Sequence, residues 1–514
     1  MGGISGAAKT MAARPLVVGS GLALIIMIIT AFTAEVYDDP FILYRYAENL
    51  ATGAGWTFNP GAPTENGVSS GLVVVVLAGL AKAGINVALG SALVFAAGMW
   101  SAAFSAYLIL RREGFLLAGV VTALLVATWP PFIEARGMES ALMLGLLGWG
   151  TWLLFEGRSA WSGVALGLAT VTRPDIAFAV AALIVVRGLL TRSSRRSLVA
   201  FVLAGATGIA WVIVARTLAG GVWPSTLAAK VAQAASGLWR PYAAEVWLLL
   251  RDRQPSRVIL GFVLMAAVAG VLLARQRVGL AIGATLIGLG GLYFLGHVPL
   301  RWLASWPRPV IALVVVGLVF SPRMKERSIT IPLIAAGVVS AATLSVLKVA
   351  YYSWYPMLPM YVALILAGIA IQNMVQAIRP APPWPRAIAL AAIATGISAA
   401  MVMGLSGLAH MAQTRVELRQ NIGPWLRAET PATASVACME IGILGYTSDR
   451  RIVDYLGILD SEAVPHIAQG DWTWWLGHYR PDYVVMYPAA IGLSLIHISE
   501  PTRRTPISYA VFCL

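Results

Sequence analysis

Long apolar stretches recur between Pro15 and Leu408, and this repetition limits the possible folds more than any other feature of the sequence. Most of them are long enough to cross the hydrocarbon core of a bilayer as a helix, which takes about 20 residues at 1.5 Å per residue. Only 12% of the residues are charged and 59% are hydrophobic, whereas a soluble domain carries about twice that charged fraction. The sequence therefore predicts an all-α polytopic membrane domain over residues 1–408.

Basic residues between the apolar stretches predict how the chain is oriented. The segment Gly71–Gly84 is apolar but short and contains Lys82, so we interpret it as an interfacial or re-entrant helix. About thirteen spans then place nearly every basic cluster inside, as the positive-inside rule requires. A first loop over residues 35–86 and the region after the last span face the extracytoplasmic side. The basic loop at 217–256 is placed outside and fits this topology least well.

The net charge of +14 does not indicate a nucleic-acid partner. The basic residues are scattered between apolar spans and form no continuous patch, so we expect the bilayer to be the main partner and no nucleic acid to bind. The two cysteines, Cys438 and Cys513, are too few for a disulfide framework or a metal cluster. The five histidines show no spacing typical of metal ligands.

The composition changes after the last apolar stretch, where residues 409–492 are mixed and predict a small extracytoplasmic α/β domain. Short buried strands are expected at three segments and a helix at a fourth: Ala434–Glu440, Arg451–Tyr455 and Asp482–Tyr487, and Glu417–Arg427. The last segment, 493–514, resembles translated sequencing-adapter DNA, and we exclude it from the fold. The α/β domain is then expected to be truncated.

Two adjacent carboxylates, Asp38 and Asp39, open a helix in the first extracytoplasmic loop. Asp39 before Pro40 has the pattern of an N-cap followed by a proline at the first helical position, which explains one aspartate but not two. Neighbouring carboxylates repel each other, and the pair costs stability unless a cation or an acceptor uses it. We therefore expect a functional role for the pair, with capping alone as the alternative.

The first loop resembles that of GT-C glycosyltransferases in DDPFILYRY (38–46) and GWTFNPG (55–61). The resemblance is greatest to a bacterial branch that includes actinobacterial terminal arabinofuranosyltransferases and protein-mannosyltransferase-like enzymes. Later motifs also resemble that branch: GMES (137–140), TRPD (172–175), WPST (223–226) running to Lys230, Pro356 and Pro359 after WY (354–355), EIG (440–442) and DYLG (454–457). Together the motifs extend over most of residues 15–492.

This resemblance implies a GT-C fold and transfer of a sugar from a polyprenyl-phosphate donor to a cell-envelope glycan, lipid or protein. Transfer would occur at the outer face of a bacterial inner membrane. Arabinofuranose, mannose and other hexoses remain open as the sugar. Asp38 or Asp39 would be the general base for the acceptor hydroxyl, or the two would share a divalent cation, Mg²⁺ or Mn²⁺, with the donor phosphate.

The leaving group is a lipid phosphate, which needs cations to hold its charge as the bond breaks. Arg45, Arg173 and Lys230 are the expected phosphate ligands, and Glu139, Asp175 and Tyr352 are further site candidates. Each cation has an alternative: structural pairing of Arg45 with Glu48 or Asp38, interfacial anchoring by Arg173, and solvation of Lys230 in a loop. Helix N-terminal stabilisation is the alternative for Glu139.

A transporter or flippase of lipid-linked sugars is the competing function. Transporters favour repeated halves and polar residues inside the spans, near the midplane. Here the predicted spans are almost free of charge, the carboxylates lie at the outer mouth, and the sequence shows no internal repeat. This distribution favours the enzyme.

Overall fold

The computed structural model describes residues 14–251 apart from 65, 221–224 and 238, and then 327–378, 416, 418–486 and 511–513. The membrane region contains these α-helices: α1 Pro15–Phe32, α2 Asp39–Thr52, α3 Gly71–Lys82, α4 Val87–Arg112, α5 Leu116–Thr128, α6 Pro130–Glu134, α7 Ser140–Phe155, α8 Ser159–Thr172, α9 Ala177–Thr191, α10 Ser194–Ala219, α11 Ser225–Ala235, α12 Tyr242–Arg251, α13 Arg327–Val346 and α14 Met357–Ile378. A 3₁₀ turn, Pro174–Ile176, precedes α9.

Five helical segments in the described part of the chain are long and apolar enough to cross a membrane: α1, α4, Pro174–Thr191, α10 and Ser328–Val346. Helices α3, α5 and α7 are apolar but shorter. The prediction of a polytopic helical membrane protein is confirmed. The predicted eighth to tenth spans and the thirteenth lie outside the described residues, and the total of thirteen spans stays a prediction.

Small residues let the membrane helices pack with their backbones close together. A Cβ on Gly98 of α4 would come within 2.5 Å of the carbonyl carbon of Ala141 in α7. A Cβ on Gly145 of α7 would in turn come within 2.8 Å of the Gly98 oxygen. Such close approach gives membrane helices the packing that the hydrophobic effect cannot supply inside a lipid phase.

The C-terminal domain is a small parallel sheet with short helices. It contains a π-helical turn Leu418–Ile422, α15 Gly423–Glu429, β1 Ser435–Cys438, α16 Ile441–Ser448, β2 Arg451–Asp454, α17 Ala463–Ala468, α18 Trp474–Tyr479, β3 Tyr483–Met486 and β4 Val511–Cys513. The strand order is β2-β1-β3-β4, and every neighbouring pair is parallel. The three predicted strands are confirmed. Strand β4 lies in the segment interpreted as adapter sequence, and that interpretation stays a prediction.

The first loop and the C-terminal domain share one hydrophobic core. Phe41 and Tyr46 of α2 and Phe58 of the following turn belong to the same buried cluster as Val436 of β1 and Leu444 of α16. The aromatic residues of the first loop are therefore the surface against which the C-terminal sheet and α16 pack. This arrangement brings residues about 400 positions apart in sequence to one end of the membrane domain.

Candidate active site

A cavity of about 720 Å³ lies between the first loop, helices α8 to α11 and the end of α13. One part of its wall is apolar and includes Phe178, Ile209, Val212, Leu344 and Leu347. The polar part contains five of the eight predicted site residues: Asp39, Glu139, Arg173, Asp175 and Lys230. The cavity therefore joins a long apolar wall to a charged end.

Helix α2 places Asp39 in the cavity wall. Asp39 is the first residue of the helix, and the cavity is also lined by Ile42 and Leu43, which follow it by three and four residues and so share its face. No described residue donates a hydrogen bond to the Asp39 carboxylate or pairs with it, which leaves the carboxylate available to a ligand. The N-cap residue of α2 is Asp38. The prediction that Asp39 is the N-cap was therefore wrong by one position.

The neighbouring Asp38 faces the C-terminal domain. It is buried, and its Oδ2 and Oδ1 accept hydrogen bonds from the backbone N–H groups of Gly442 (2.7 Å) and Ile443 (2.6 Å). Burial, and then the charge of Glu440, raise the pKa of Asp38 well above its ordinary value, although the two N–H groups lower it. Asp38 thus caps the first turn of α16, whose N–H groups have no partner within the helix.

Arg173 sits at the charged end of the cavity with two carboxylates. Its Nε and Nη2 donate hydrogen bonds to Oδ1 and Oδ2 of Asp175, at 3.1 and 3.0 Å. Its Nη1 lies 3.7 Å from Oε1 of Glu139. Burial lowers the pKa of Arg173, but the charges of Asp175 and Glu139 outweigh burial and raise it. Burial raises the pKa of Glu139, and Arg173 opposes that rise. Arg173 is therefore held in place and stays charged.

Lys230, on α11, is 6% exposed and lines the same cavity. Its Nζ lies 3.5 Å from the centroid of the Tyr352 ring and 5.6 Å from that of Trp354. These rings stabilise a cation by their negative faces. No carboxylate among the described residues lies within ion-pair distance of this ammonium, so Lys230 is the cation best placed to receive an anion.

Arg45 is directed away from the charged end of the cavity. Its Nε donates to Phe58 O (2.7 Å) and its Nη2 to Arg450 O (2.8 Å), while Nη1 donates to Gly445 O. Burial lowers the pKa of Arg45 to about 10. The guanidinium binds backbone carbonyl groups that belong to the first loop and the C-terminal domain. These partners give Arg45 a structural contact, but they are carbonyl groups and not the carboxylates of Glu48 or Asp38 that the structural alternative named. The contact of Arg45 with a donor phosphate stays a prediction.

The fold is similar to that of several solved structures. The Archaeoglobus fulgidus oligosaccharyltransferase, crystallised with a tethered acceptor peptide, matches 85% of this chain and 63% of its own at 14% identity, with a TM-score of 0.50. The chain has the GT-C fold. ArnT from Cupriavidus metallidurans, bound to undecaprenyl phosphate, matches over 85% of both chains at 11% identity with a TM-score of 0.49. The structure of the same ArnT in the apo state matches over 85% of both chains at 14% identity with a TM-score of 0.42.

Sequence comparisons add little to this structural similarity. Residues 407–511 match the model of a domain of unknown function, DUF8728. A comparison with curated protein sequences found no match. The matched segment covers the C-terminal domain and leaves the membrane domain outside. The resemblance read from the first-loop motifs is therefore confirmed at the level of the fold.

Tyr352 contacts two residues of α11 beside the charged end of the cavity. Its ring lies under Lys230, and its hydroxyl donates to Oε1 of Gln233 at 2.7 Å. Burial is the main cause of a raised Tyr352 pKa. Gln233 was not among the predicted site residues. Its position three residues after Lys230, on a helix otherwise rich in alanine, could have indicated it, because residues at this spacing share one face of a helix.

The predicted cation shared by Asp38 and Asp39 does not fit this arrangement. Within the described ranges, no three His, Cys, Asp or Glu side chains group together as metal ligands. Both oxygens of Asp38 are already used by the N–H groups of Gly442 and Ile443, and a hard cation needs free carboxylate oxygens. Of the two aspartates, only Asp39 has such oxygens. The pair therefore does not offer the shared set of ligands that the predicted cation requires.

Proposed function

We propose that the chain is a membrane glycosyltransferase that moves a sugar from a polyprenyl-phosphate donor to an acceptor outside the cytoplasm. One observation carries this proposal: a single cavity combines a long apolar wall with Asp39 and Lys230, both without a partner of opposite charge among the described residues. Lys230 is buried and Asp39 is half-buried, and a charge removed from water is costly unless it is paired. A ligand with a lipid tail, a phosphate and a sugar would fill the apolar space and pair the charge.

The phosphate of the donor would lie at Lys230, with Arg173 beside it. Arg173 is already paired with two carboxylates, so Lys230 supplies the positive charge that is still available. As the bond between the anomeric carbon and the phosphate oxygen breaks, its electron pair passes to that oxygen. Lys230, which is 6% exposed, stabilises this developing charge.

Asp39 would be the general base. The acceptor hydroxyl oxygen forms the new bond to the anomeric carbon and releases its proton to the Asp39 carboxylate. Attack on the face opposite the phosphate inverts the anomeric carbon, as the resemblance implies. The leaving phosphate needs no proton, so this chemistry requires one carboxylate and not two. Asp38 is then free to serve the structural contact described above.

The proposed location is the bacterial inner membrane, with the cavity and the C-terminal domain on the extracytoplasmic side. The acceptor would be a cell-envelope glycan, a lipid or a protein. This orientation follows from the positive-inside rule applied to the basic clusters. A donor embedded in the membrane reaches the cavity through its lipid tail, and a polar acceptor approaches from the aqueous side.

Transfer of radiolabel from a panel of polyprenyl-phosphate sugars, with purified full-length protein in lipid and a panel of envelope acceptors, tests this proposal. We expect transfer from one donor, and a loss of about 10²- to 10⁴-fold in Asp39→Asn because a general base contributes that much. The matched control is Asp482→Asn, which changes an exposed carboxylate of the C-terminal domain that accepts hydrogen bonds from Ser435, and this variant should retain full activity.

Two results would overturn the proposal. If Asp39→Asn transferred sugar at the rate of the unchanged protein, Asp39 would not be the base. If the protein moved labelled lipid-linked sugar across the bilayer and transferred it to no acceptor, it would be a flippase. Binding of polyprenyl phosphate by Asp39→Asn, measured in parallel, shows that the variant is folded.

A further inference from the structure

The C-terminal domain touches the wall of the cavity that carries the proposed base. The Asp38 carboxylate bonds the first-turn N–H groups of α16, and Asp38 is also the N-cap of the helix that begins with Asp39. Fixing the side chain of Asp38 at two points also fixes its backbone. The orientation of the first turn of α2, and with it the place of Asp39, therefore depends on α16.

Gly442 makes this contact possible. A Cβ on Gly442 would overlap the backbone oxygen of Asp38 and lie 3.0 Å from its Oδ2. A backbone oxygen cannot move aside as the end of a flexible side chain can. Only glycine allows α16 to sit this close to the start of α2, so substitution of Gly442 disturbs the contact without removing any ionisable group.

Arg45 binds the other end of α16. It donates to Gly445 O, one of the last four carbonyls of the helix, and to Arg450 O just beyond it. These carbonyls lack partners within the helix, and a cation there complements the helix dipole. Helix α2 therefore holds α16 at both ends, with an aspartate at the N-terminus and an arginine at the C-terminus.

The opposite wall of the cavity is bound by another part of the same domain. On α11, which carries Lys230, the Ser225 hydroxyl donates to Ile458 O (2.6 Å) and the Gln233 amide donates to Leu456 O (3.1 Å). Asp454 orders this 456–459 segment by accepting from the N–H groups of Leu456 and Leu459. The C-terminal domain thus contacts both helices that carry the free charges.

We infer that the C-terminal domain is a brace that sets the separation between Asp39 and Lys230, with Asp38 and Arg45 as positioning residues on one wall and Ser225 and Gln233 on the other. The inference rests on the proposed function for the roles of Asp39 and Lys230, but the contacts are independent of it. Group transfer is sensitive to placement, since a misplacement of 1 Å costs about 10² in rate.

Turnover of three full-length variants, Asp38→Ala, Gly442→Ala and the double variant, tests the brace. We expect each single variant to lower kcat about 100-fold with the affinity and stoichiometry of polyprenyl phosphate binding unchanged. The double variant should be no slower than the slower single variant, because both changes disrupt one contact. The acidic limb of the pH–rate profile should persist in Asp38→Ala, because the proposed base, Asp39, is still present.

A distance measurement tests the brace without any glycosyl transfer. Spin labels at Thr52 of α2 and Ala235 of α11, both exposed, in a Cys513→Ser background report the separation of the two walls. We expect a narrow distance distribution that broadens or shifts in Asp38→Ala, in Gly442→Ala and, from the other wall, in Gln233→Leu. Asp482→Ala, which removes a carboxylate that caps Ser435 within the same domain, should leave it unchanged.

The outcomes separate the two proposals. An unchanged distance distribution in all three variants overturns the brace, whatever the activity. Multiplicative losses in the double variant, or loss of the acidic limb in Asp38→Ala, would make Asp38 a catalytic residue and also overturn it. Altered distances in a protein that transfers no sugar would instead support the brace and refute the proposed glycosyltransferase.

Discussion

The charged end of the cavity and the junction between α2 and α16 contain the same kinds of group in opposite states. At the junction, Asp38 and Arg45 bind backbone groups with both carboxylate oxygens and three guanidinium nitrogens. At the cavity, Asp39 and Lys230 face space, and the described residues supply neither with a partner of opposite charge. The two aspartates are consecutive in sequence. Both carboxylate oxygens of Asp38 accept hydrogen bonds from the protein, whereas the Asp39 carboxylate accepts none from the described residues.

This difference separates structural charges from functional ones by their bonding. A buried charge whose hydrogen bonds are all made to the protein stabilises a contact and has little capacity left for a ligand. A buried charge without partners costs free energy, and a bound ligand can recover that cost. Arg173 is intermediate, because its two carboxylates hold its guanidinium in place at the cavity wall and leave little of its charge for a ligand.

The largest effect that would sharpen this comparison is expected for Lys230→Met, which keeps the apolar stem and removes the charge. Turnover should fall about 10²- to 10³-fold, because removal of one preorganised charge-stabilising group costs that much. The dissociation constant for polyprenyl phosphate, measured by titration in lipid, should rise. Protection of the C-terminal domain against hydrogen exchange should stay the same. If Lys230→Met and the unchanged protein bound polyprenyl phosphate with equal affinity, the assignment of Lys230 to the phosphate would be wrong.

Arg45→Met should give the reverse pattern. Arg45 donates to three carbonyl groups, but Phe58 O keeps a second donor in the Asn49 amide at 3.1 Å. The carbonyl groups of Gly445 and Arg450 would lose the Arg45 donor, at about 1 to 3 kcal/mol for each buried group left unpaired. We expect amides of α16 and β2 to lose about 4 kcal/mol of protection in hydrogen exchange, and the affinity for polyprenyl phosphate to be unchanged.

Arg451→Met is the matched control for this change, because Arg451 is exposed on β2. It should alter protection by less than about 0.5 kcal/mol, as surface substitutions usually do. Weaker binding of polyprenyl phosphate by Arg45→Met, with protection intact, would restore Arg45 as a phosphate ligand and break the comparison.

The smallest effect concerns pH and Asp454, which orders the 456–459 segment. Burial raises the pKa of Asp454 from 3.8 to about 6, although the N–H groups of Leu459 and Leu456 oppose the rise. Because the pKa is higher in the folded state, this group's stabilisation is complete below about pH 4 and is lost as the pH rises through about 6. The loss is at most about 3 kcal/mol at 1.36 kcal/mol per pKa unit.

Hydrogen exchange of β2 amides at pH 4.5 and pH 7, corrected for the intrinsic exchange rate, measures this loss. Asp454→Asn, which does not titrate, should show a smaller difference between the two pH values. A domain that becomes more stable as the pH rises, in the unchanged protein but not in Asp454→Asn, would give Asp454 a lowered pKa and contradict the assignment.

Local patterns in the sequence were sufficient for several features of the molecule. Apolar length predicted the membrane helices, and short apolar runs predicted β1, β2 and β3, because burial in a lipid phase or on both faces of a parallel sheet leaves a continuous apolar signal. The motif around Asp38 and Asp39 indicated the fold. The TRPD motif pointed to Arg173 and Asp175 as site residues, and both line the cavity.

Only the tertiary structure decided which aspartate is free. Consecutive residues at the start of a helix point in different directions, and which direction is the cavity depends on what packs against the helix. For Asp38 and Arg45 that partner is α16, about 400 residues later in the chain, and a local pattern contains no information on such a contact. The sequence by itself predicted that charges gather at one mouth of the membrane domain. Long-range packing determined which of them the backbone of another domain neutralises, because backbone N–H and C=O groups bind charge whatever their side chains are.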